Sequence, residues 1–370
     1  YALIFMAKNW TAMARGEEAV IDREFGRMWV FLESQKDTLQ SDDVGLTCMA
    51  LAHLGRCHAY ARTQILIPLK VLTQHILHDD GKILKLLTGR QLVQILWATA
   101  ITKYKDPELL NAFVPRLKDP DVMKEQSTVK CAQLLWVLAS FQIRDSPLMD
   151  DIWQQLKRDD QYQSLSPQGV SNVVWSFAKM DLYNPELMNM LANQAMDQID
   201  QMNAQDVCTI AYAYAVLGSK NKPLMEALAR RAIDESIRTT FTAQGVTILA
   251  WAYAKLKVRH EALFTSLRLQ AVQKPVLYSL SDQGIAILMW SYSVMGMPYE
   301  DLAEFISYRL LSTTAVNDFS PQAIASALWS MATSGIRNTA LVAELTRVAV
   351  EPSILERFNA QDVANTIWAL

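Results

Sequence analysis

The chain has 370 residues, 51% of them hydrophobic, and 35 Lys and Arg against 38 Asp and Glu give a net charge of -3. Only 12 glycines and 12 prolines occur, a composition that points to an ordered, helix-rich chain and excludes a low-complexity tail. The slightly acidic balance speaks against tight, nonspecific nucleic-acid binding, and no run of about 18 apolar residues marks a membrane span.

In chain order, residues 1–38 form the least regular part: IFMAKN reads as the end of a helix and EEAVIDREFGRMWVFLES as a long one. From Leu39 onward the chain is periodic. Trp97, Trp136 and Trp175 lie 39 residues apart, Tyr212 takes the next place, and Trp251, Trp290, Trp329 and Trp368 resume the beat. A fixed period of this length means a repeat array, because each unit is one supersecondary element that cannot bury its apolar face alone. One helical-repeat domain over 39–370 is therefore expected, where length alone would suggest two or three domains. The step from Met49 to Trp97 is 48 residues, so the first repeat carries an insertion or an extended helix around 61–82. The chain opens on Tyr1 and stops at Leu370 inside a repeat, as expected of a piece of a longer protein.

Each repeat predicts two helices. In LSPQGVSNVVWSFAKM, Ser166 can cap, Pro167 suits the first turn, and Val170, Val173, Val174 and Phe177 share a face: helix A. The string recurs from Met202, Phe241, Leu280, Phe319 and Phe358, with looser copies from Leu39, Leu87 and Gln126. Twelve residues after each tryptophan position a leucine (Leu109, Leu148, Leu187, Leu224, Leu263, Leu302, Leu341) opens helix B, which Asn184 and Pro185 cap and start in the best copy. The fold expected is an all-α solenoid of tandem antiparallel helical hairpins.

On the wheel of this helix A, Gln168, Asn172, Ser176 and Lys179 lie opposite the core and are expected to line a groove. The position three before the tryptophan varies as Gln94, Gln133, Asn172, Thr209, Ile248, Ile287, Ser326 and Asn365. Short polar groups that vary between repeats suit base-edge reading in modular helical arrays; they equally mark an ordinary solvated face. Gln168, Gln205, Gln244, Gln283, Gln322 and Gln361 do not vary, and are expected to serve unpaired backbone groups at the helix start. The tryptophans are expected to pack between repeats more than to serve as base-stacking platforms, with burial costs of about 3–5 kcal/mol on truncation.

Lys and Arg concentrate in 51–118, including Arg90, and in 217–275, including Lys255; such zones suit phosphates or are solvated faces. Cys48, Cys131 and Cys208 stand where other repeats carry Val, Ile, Ser or Ala and read as small core residues. His53, His58, His75 and His78 cluster near Cys57 and Asp79 without a recognised ligand spacing, so no metal or other cofactor is expected. No nucleophile elbow, glycine phosphate loop or carboxylate pair suggests an active site.

The hairpin of about 39 residues carrying [SNT]-[PA]-Q-[GDA]-[VI]-x4-W-[AS]-[YFM]-[AS] resembles the octotricopeptide repeat family and the related repeats found with RAP domains. The chain departs from many algal members in lacking a Pro-Pro-Pro-Glu-Trp string; its nearest copy is Asn184, Pro185, Glu186, Leu187. The resemblance implies a mitochondrial or chloroplast protein that binds single-stranded or looped RNA, ribosomal RNA included, in transcript stability, processing or translation. The candidate contacts are Arg90, Gln94, Gln133, Asn172, Lys179, Thr209, Lys255, Ser326 and Asn365. The alternative is a scaffold holding protein subunits of a large organellar complex, which Ile248, Ile287 and the apolar content favour.

Overall fold

The computed structural model describes residues 39–57, 65–78, 82–313 and 318–370, together with positions 26, 29, 30, 33 and 34, which are helical. The expected IFMAKN helix end and most of the long helix over 17–34 fall outside the described residues. Among the described residues there is no strand, and the fold is an all-α solenoid of helical hairpins. The chain divides into two compact units, residues 1–165 and 166–370.

The first unit contains α1 (Ser41–Cys57), α2 (Leu66–Leu77), α3 (Lys82–Leu86), α4 (Gly89–Ile101), α5 (Pro107–Leu117), α6 (Pro120–Lys124), α7 (Thr128–Ser140) and α8 (Ser146–Lys157), closed by a 3-10 segment at Arg158–Ser164. The A helices are α1, α4 and α7; the B helices are α2, α5 and α8. In the first repeat α1 is longer than the other A helices, and α2, which packs on α1 and α5, holds the B place.

The second unit runs α9 (Pro167–Lys179), α10 (Pro185–Asp197), α11 (Ala204–Val216), α12 (Lys222–Ile233), α13 (Glu235–Arg238), α14 (Ala243–Leu256), α15 (Glu261–Ala271), α16 (Lys274–Leu277), α17 (Asp282–Met295), α18 (Glu300–Thr313), α19 (Pro321–Ser334), α20 (Thr339–Ala349), α21 (Pro352–Leu355) and α22 (Ala360–Ala369). Its A helices, α9, α11, α14, α17, α19 and α22, pack chiefly on one another in series. Close approach is possible because the residue after each tryptophan position is small: Ser176, Ala213, Ala252, Ser291 and Ser330 are all at 0% exposure. At Gly245, Cys208 Sγ lies 3.2 Å from where a Cβ would sit, so a side chain there would press on the neighbouring A helix by a few tenths of an ångström.

The repeat has a third part that the two-helix reading did not contain. One short turn of helix (α6, α13, α16, α21, or a 3-10 turn at Ile199–Gln201) joins B to the next A. Asp119-Pro120 and Glu351-Pro352 start two of these turns; a single turn is too short to show a hydrophobic period.

Local chemistry sets the boundaries. Ser166, Asn203, Thr242, Ser281, Ser320 and Asn359 each accept the N3 backbone N–H of an A helix, as the sequence predicted at Ser166. Asp106, Asp145, Asn184, Asn221, His260 and Asn338 do the same for B helices. Six residues past the tryptophan position, the chain turns left-handed at Lys103, Gln142, Asp181, Gly218, Lys257, Gly296 and Gly335. The following N–H bonds back five residues, as Val258 does to Tyr253 and Met297 to Tyr292, both at 2.9 Å, which makes each end a Schellman motif.

Two side-chain devices lock the hairpins. Two residues past the tryptophan position, Tyr214, Tyr253 and Tyr292 are buried and donate to the Met188, Met225 and Phe264 carbonyls of the preceding B helix at 2.5, 2.5 and 2.6 Å. Seven residues past the B leucine, Arg116, Gln155, Arg231, Gln270 and Arg309 reach back to carbonyls just before helix A of their own repeat, for example Arg231 Nε to Met202 at 2.9 Å. Cys48, Cys131 and Cys208 are buried, as expected, and burial pushes each thiol up to about 12.

Candidate nucleic-acid interface

An α-helix turns about 100° per residue, so the residues seven and three before the tryptophan, the tryptophan itself, and the residue four after it share one stripe. In α9 these are Gln168, Asn172, Trp175 and Lys179: Gln168 and Lys179 are exposed, Asn172 and Trp175 half-buried. Ser176, expected here, lies about 80° round the helix from Gln168. It is fully buried, with its Oγ donating to the Asn172 carbonyl at 2.6 Å. The tryptophan takes its place on the stripe.

The same assignment holds along both units. Gln94, Gln133, Asn172, Thr209, Ile248, Ile287, Ser326 and Asn365 are all half-buried, as are Trp97, Trp136, Trp175, Tyr212, Trp251, Trp290 and Trp329. Trp368, on the last A helix, is 63% exposed. Neighbouring rings lean on one another without stacking flat: Tyr212 and Trp251 have centroids 5.6 Å apart and planes 33° apart, Trp329 and Trp368 6.5 Å and 35°. Sequence reasoning favoured packing over base stacking for the tryptophan. It does pack in part, but in the repeats of α11, α14 and α17 the fully buried aromatic is the tyrosine two residues later, and Trp290→Ala should cost less than the about 3–5 kcal/mol of a buried large-to-small change.

In the first unit the stripe carries Arg90 and Gln94 on α4 and Gln133 on α7. Lys130 donates from Nζ to Gln133 Oε1 at 2.8 Å; burial first, then the nearby Arg90 cation, lowers its pKa. In the second unit the stripe borders two hollows. One of about 640 Å³ is lined by Trp175, Lys179, Gln205, Thr209, Tyr212 and Ile248 among others. One of about 890 Å³ is lined by Trp251, Ile287, Trp290, Ser326, Trp329 and Asn365, again among others. Lys255 is exposed four residues beyond Trp251.

The invariant glutamines face outward. The caps take the N3 N–H of each A helix, while Gln168, Gln205, Gln244, Gln283, Gln322 and Gln361 are exposed, and five of them line the two hollows. Gln205 Nε2 donates to Thr209 Oγ1 at 3.1 Å, linking two stripe positions. Each amide offers both donors and an acceptor.

Part of each basic zone is spent on structure. Lys118 pairs with Asp145 at 2.6 Å and Arg268 with Asp301 at 2.6 Å; Arg116 and Arg231 bond linker carbonyls; Lys105 and Lys220 donate to the Phe141 and Lys257 carbonyls. Arg90 and Lys255 are the members that lie on the stripe. Of the histidine cluster, His53 packs on Trp97 with centroids 5.6 Å apart; His58 and Asp79 lie outside the described residues. Among the described residues no group of His, Cys, Asp and Glu is placed to hold a metal ion, and no helix is long and apolar enough to cross a membrane.

The stripe thus offers amides, short polar side chains, half-open indole faces and few cations. That set can bond base edges and lie against ring faces better than it can neutralise phosphates. A family model described as RNA-editing substrate-binding complex 6 protein matches residues 148–274 and 219–370, together more than half of the chain. No curated protein matches the chain.

Proposed function

Because the chain belongs to the RNA-editing substrate-binding complex 6 family, we propose that it is a helical-repeat subunit of an RNA-editing complex and holds single-stranded or looped RNA along its A-helix stripe. The observation that carries this reading is the stripe, where the position three before each tryptophan is half-exposed and varies among the repeats. Its contacts are Arg90, Gln94, Gln133, Asn172, Lys179, Thr209, Lys255, Ser326 and Asn365. The octotricopeptide-like string fits the same reading and suggests an organellar setting. The chain's part is binding, with no catalytic step and no cofactor of its own.

Protein contacts belong to the same reading on another face. On α18, Phe305, Tyr308 and Leu311 are 47%, 68% and 42% exposed, an apolar row that favours a partner subunit against the B helices.

Crosslinking the native protein and sequencing the attached RNA tests the reading: recovered transcripts support it, and absence of RNA contradicts it. In a binding screen, Asn172→Ala should change sequence preference more than overall affinity. An unchanged preference would remove Asn172 as a reader.

A further inference from the structure

The tryptophan row is placed where a packing residue alone would not need to be. Three successive repeats already bury a large aromatic in the hairpin core, with Tyr214, Tyr253 and Tyr292 at most 1% exposed. Two residues earlier on the same helices, Tyr212, Trp251 and Trp290 stay half-exposed on the groove face. The ring pairs are tilted by 33° and 35° at 5.6 and 6.5 Å, so neighbours touch without covering one another's faces in a stack. The hollow between Trp251, Trp290 and Trp329 has a volume of about 890 Å³, and Gln283, Gln322 and Gln361 lie along it.

We infer that the half-exposed rings of Trp251, Trp290 and Trp329 are platforms on which unpaired nucleobases lie, with the glutamine of each helix bonding whichever base edge is presented. This rests on the RNA reading above and adds how the strand is gripped. The division of labour follows from the side chains. Every base has a π-face, so stacking tolerates any sequence; a glutamine amide both donates and accepts, so it also tolerates any edge. The rows that do not vary therefore supply affinity, and the row that varies supplies preference. With few cations on the stripe, affinity should depend on salt less steeply than for a phosphate-binding protein.

The test uses the full chain and two single-stranded RNA oligonucleotides of equal length, one of mixed sequence and one with abasic positions, read by anisotropy and by tryptophan fluorescence. The expected result is quenching on binding the mixed strand, at least about tenfold weaker binding of the abasic strand, and about tenfold weaker binding by Trp290→Leu with Trp290→Phe close to the parent. Equal binding of the two strands by the parent protein overturns the platforms while leaving the RNA reading intact; binding of neither strand overturns the RNA reading itself. The strand comparison on the parent decides the matter even where Trp290→Leu fails to fold.

Discussion

Lys257 ends α14 with φ at 53°, in the left-handed region, whereas the equivalent residues ending α17 and α19 are Gly296 and Gly335. A side chain there costs about 1–2 kcal/mol, and glycine returns about 0.5–1 kcal/mol of that as unfolded-chain entropy. Lys257→Gly should therefore stabilise the second unit by about 0.5–1 kcal/mol, and Gly296→Ala, with open space around its Cβ, should cost a similar amount through backbone strain alone. Denaturant midpoints of the two variants against the parent check both signs. At this scale the sequence was read well where one residue does one local job, as Ser166 and Asn184 do in capping. It misled where a residue's job depends on its neighbours across the helix. The Gln168 series was assigned to the helix start because it does not vary, yet the adjacent Ser, Thr and Asn caps take the N3 N–H there and the glutamines themselves are exposed. Ser176 was placed on the groove by polarity, when the arithmetic of the helix turn puts Trp175 there.

Between elements, the hairpin is held by a polar clasp that hydrophobic patterning does not reveal. Arg309 on α18 donates to the Leu277 and Leu280 carbonyls at 2.6 and 2.8 Å, fixing the segment that leads into α17. Arg309→Ala should destabilise by about 1.5–3 kcal/mol, the range for hydrogen bonds from a charged donor. Arg230→Ala removes only an exposed pair with Glu226 at 3.7 Å and should change stability by less than about 0.5 kcal/mol. Equal effects in chemical unfolding would show that the clasp is not what orders the linker. The register of this position was present in the sequence as Arg116, Gln155, Gln194, Arg231, Gln270 and Arg309, at spacings matching those of the B leucines. It went unread because the basic residues were counted by zone and not by phase. Counting by zone also made Arg116, Lys118, Arg231 and Arg268 look available to phosphates, when contacts many residues away had already engaged them.

For the whole molecule, the repeat period made the all-α solenoid legible from the tryptophans alone, since each repeat must bury its face on the next. The short third helices were not legible because a single turn shows no hydrophobic period, and the exposure of the indoles was not because it is set by how successive A helices pack. The function rests on the family match over 148–370 and on a stripe of side chains whose members repeat, vary and line the two hollows of the second unit. The most direct measurement is ultraviolet crosslinking of the native assembly followed by mass spectrometry of peptide–nucleotide adducts. Adducts on the A-helix peptides that contain Trp251, Trp290 and Trp329 are predicted; adducts confined to B-helix peptides, or none at all on this chain, would contradict an RNA-holding A-helix face.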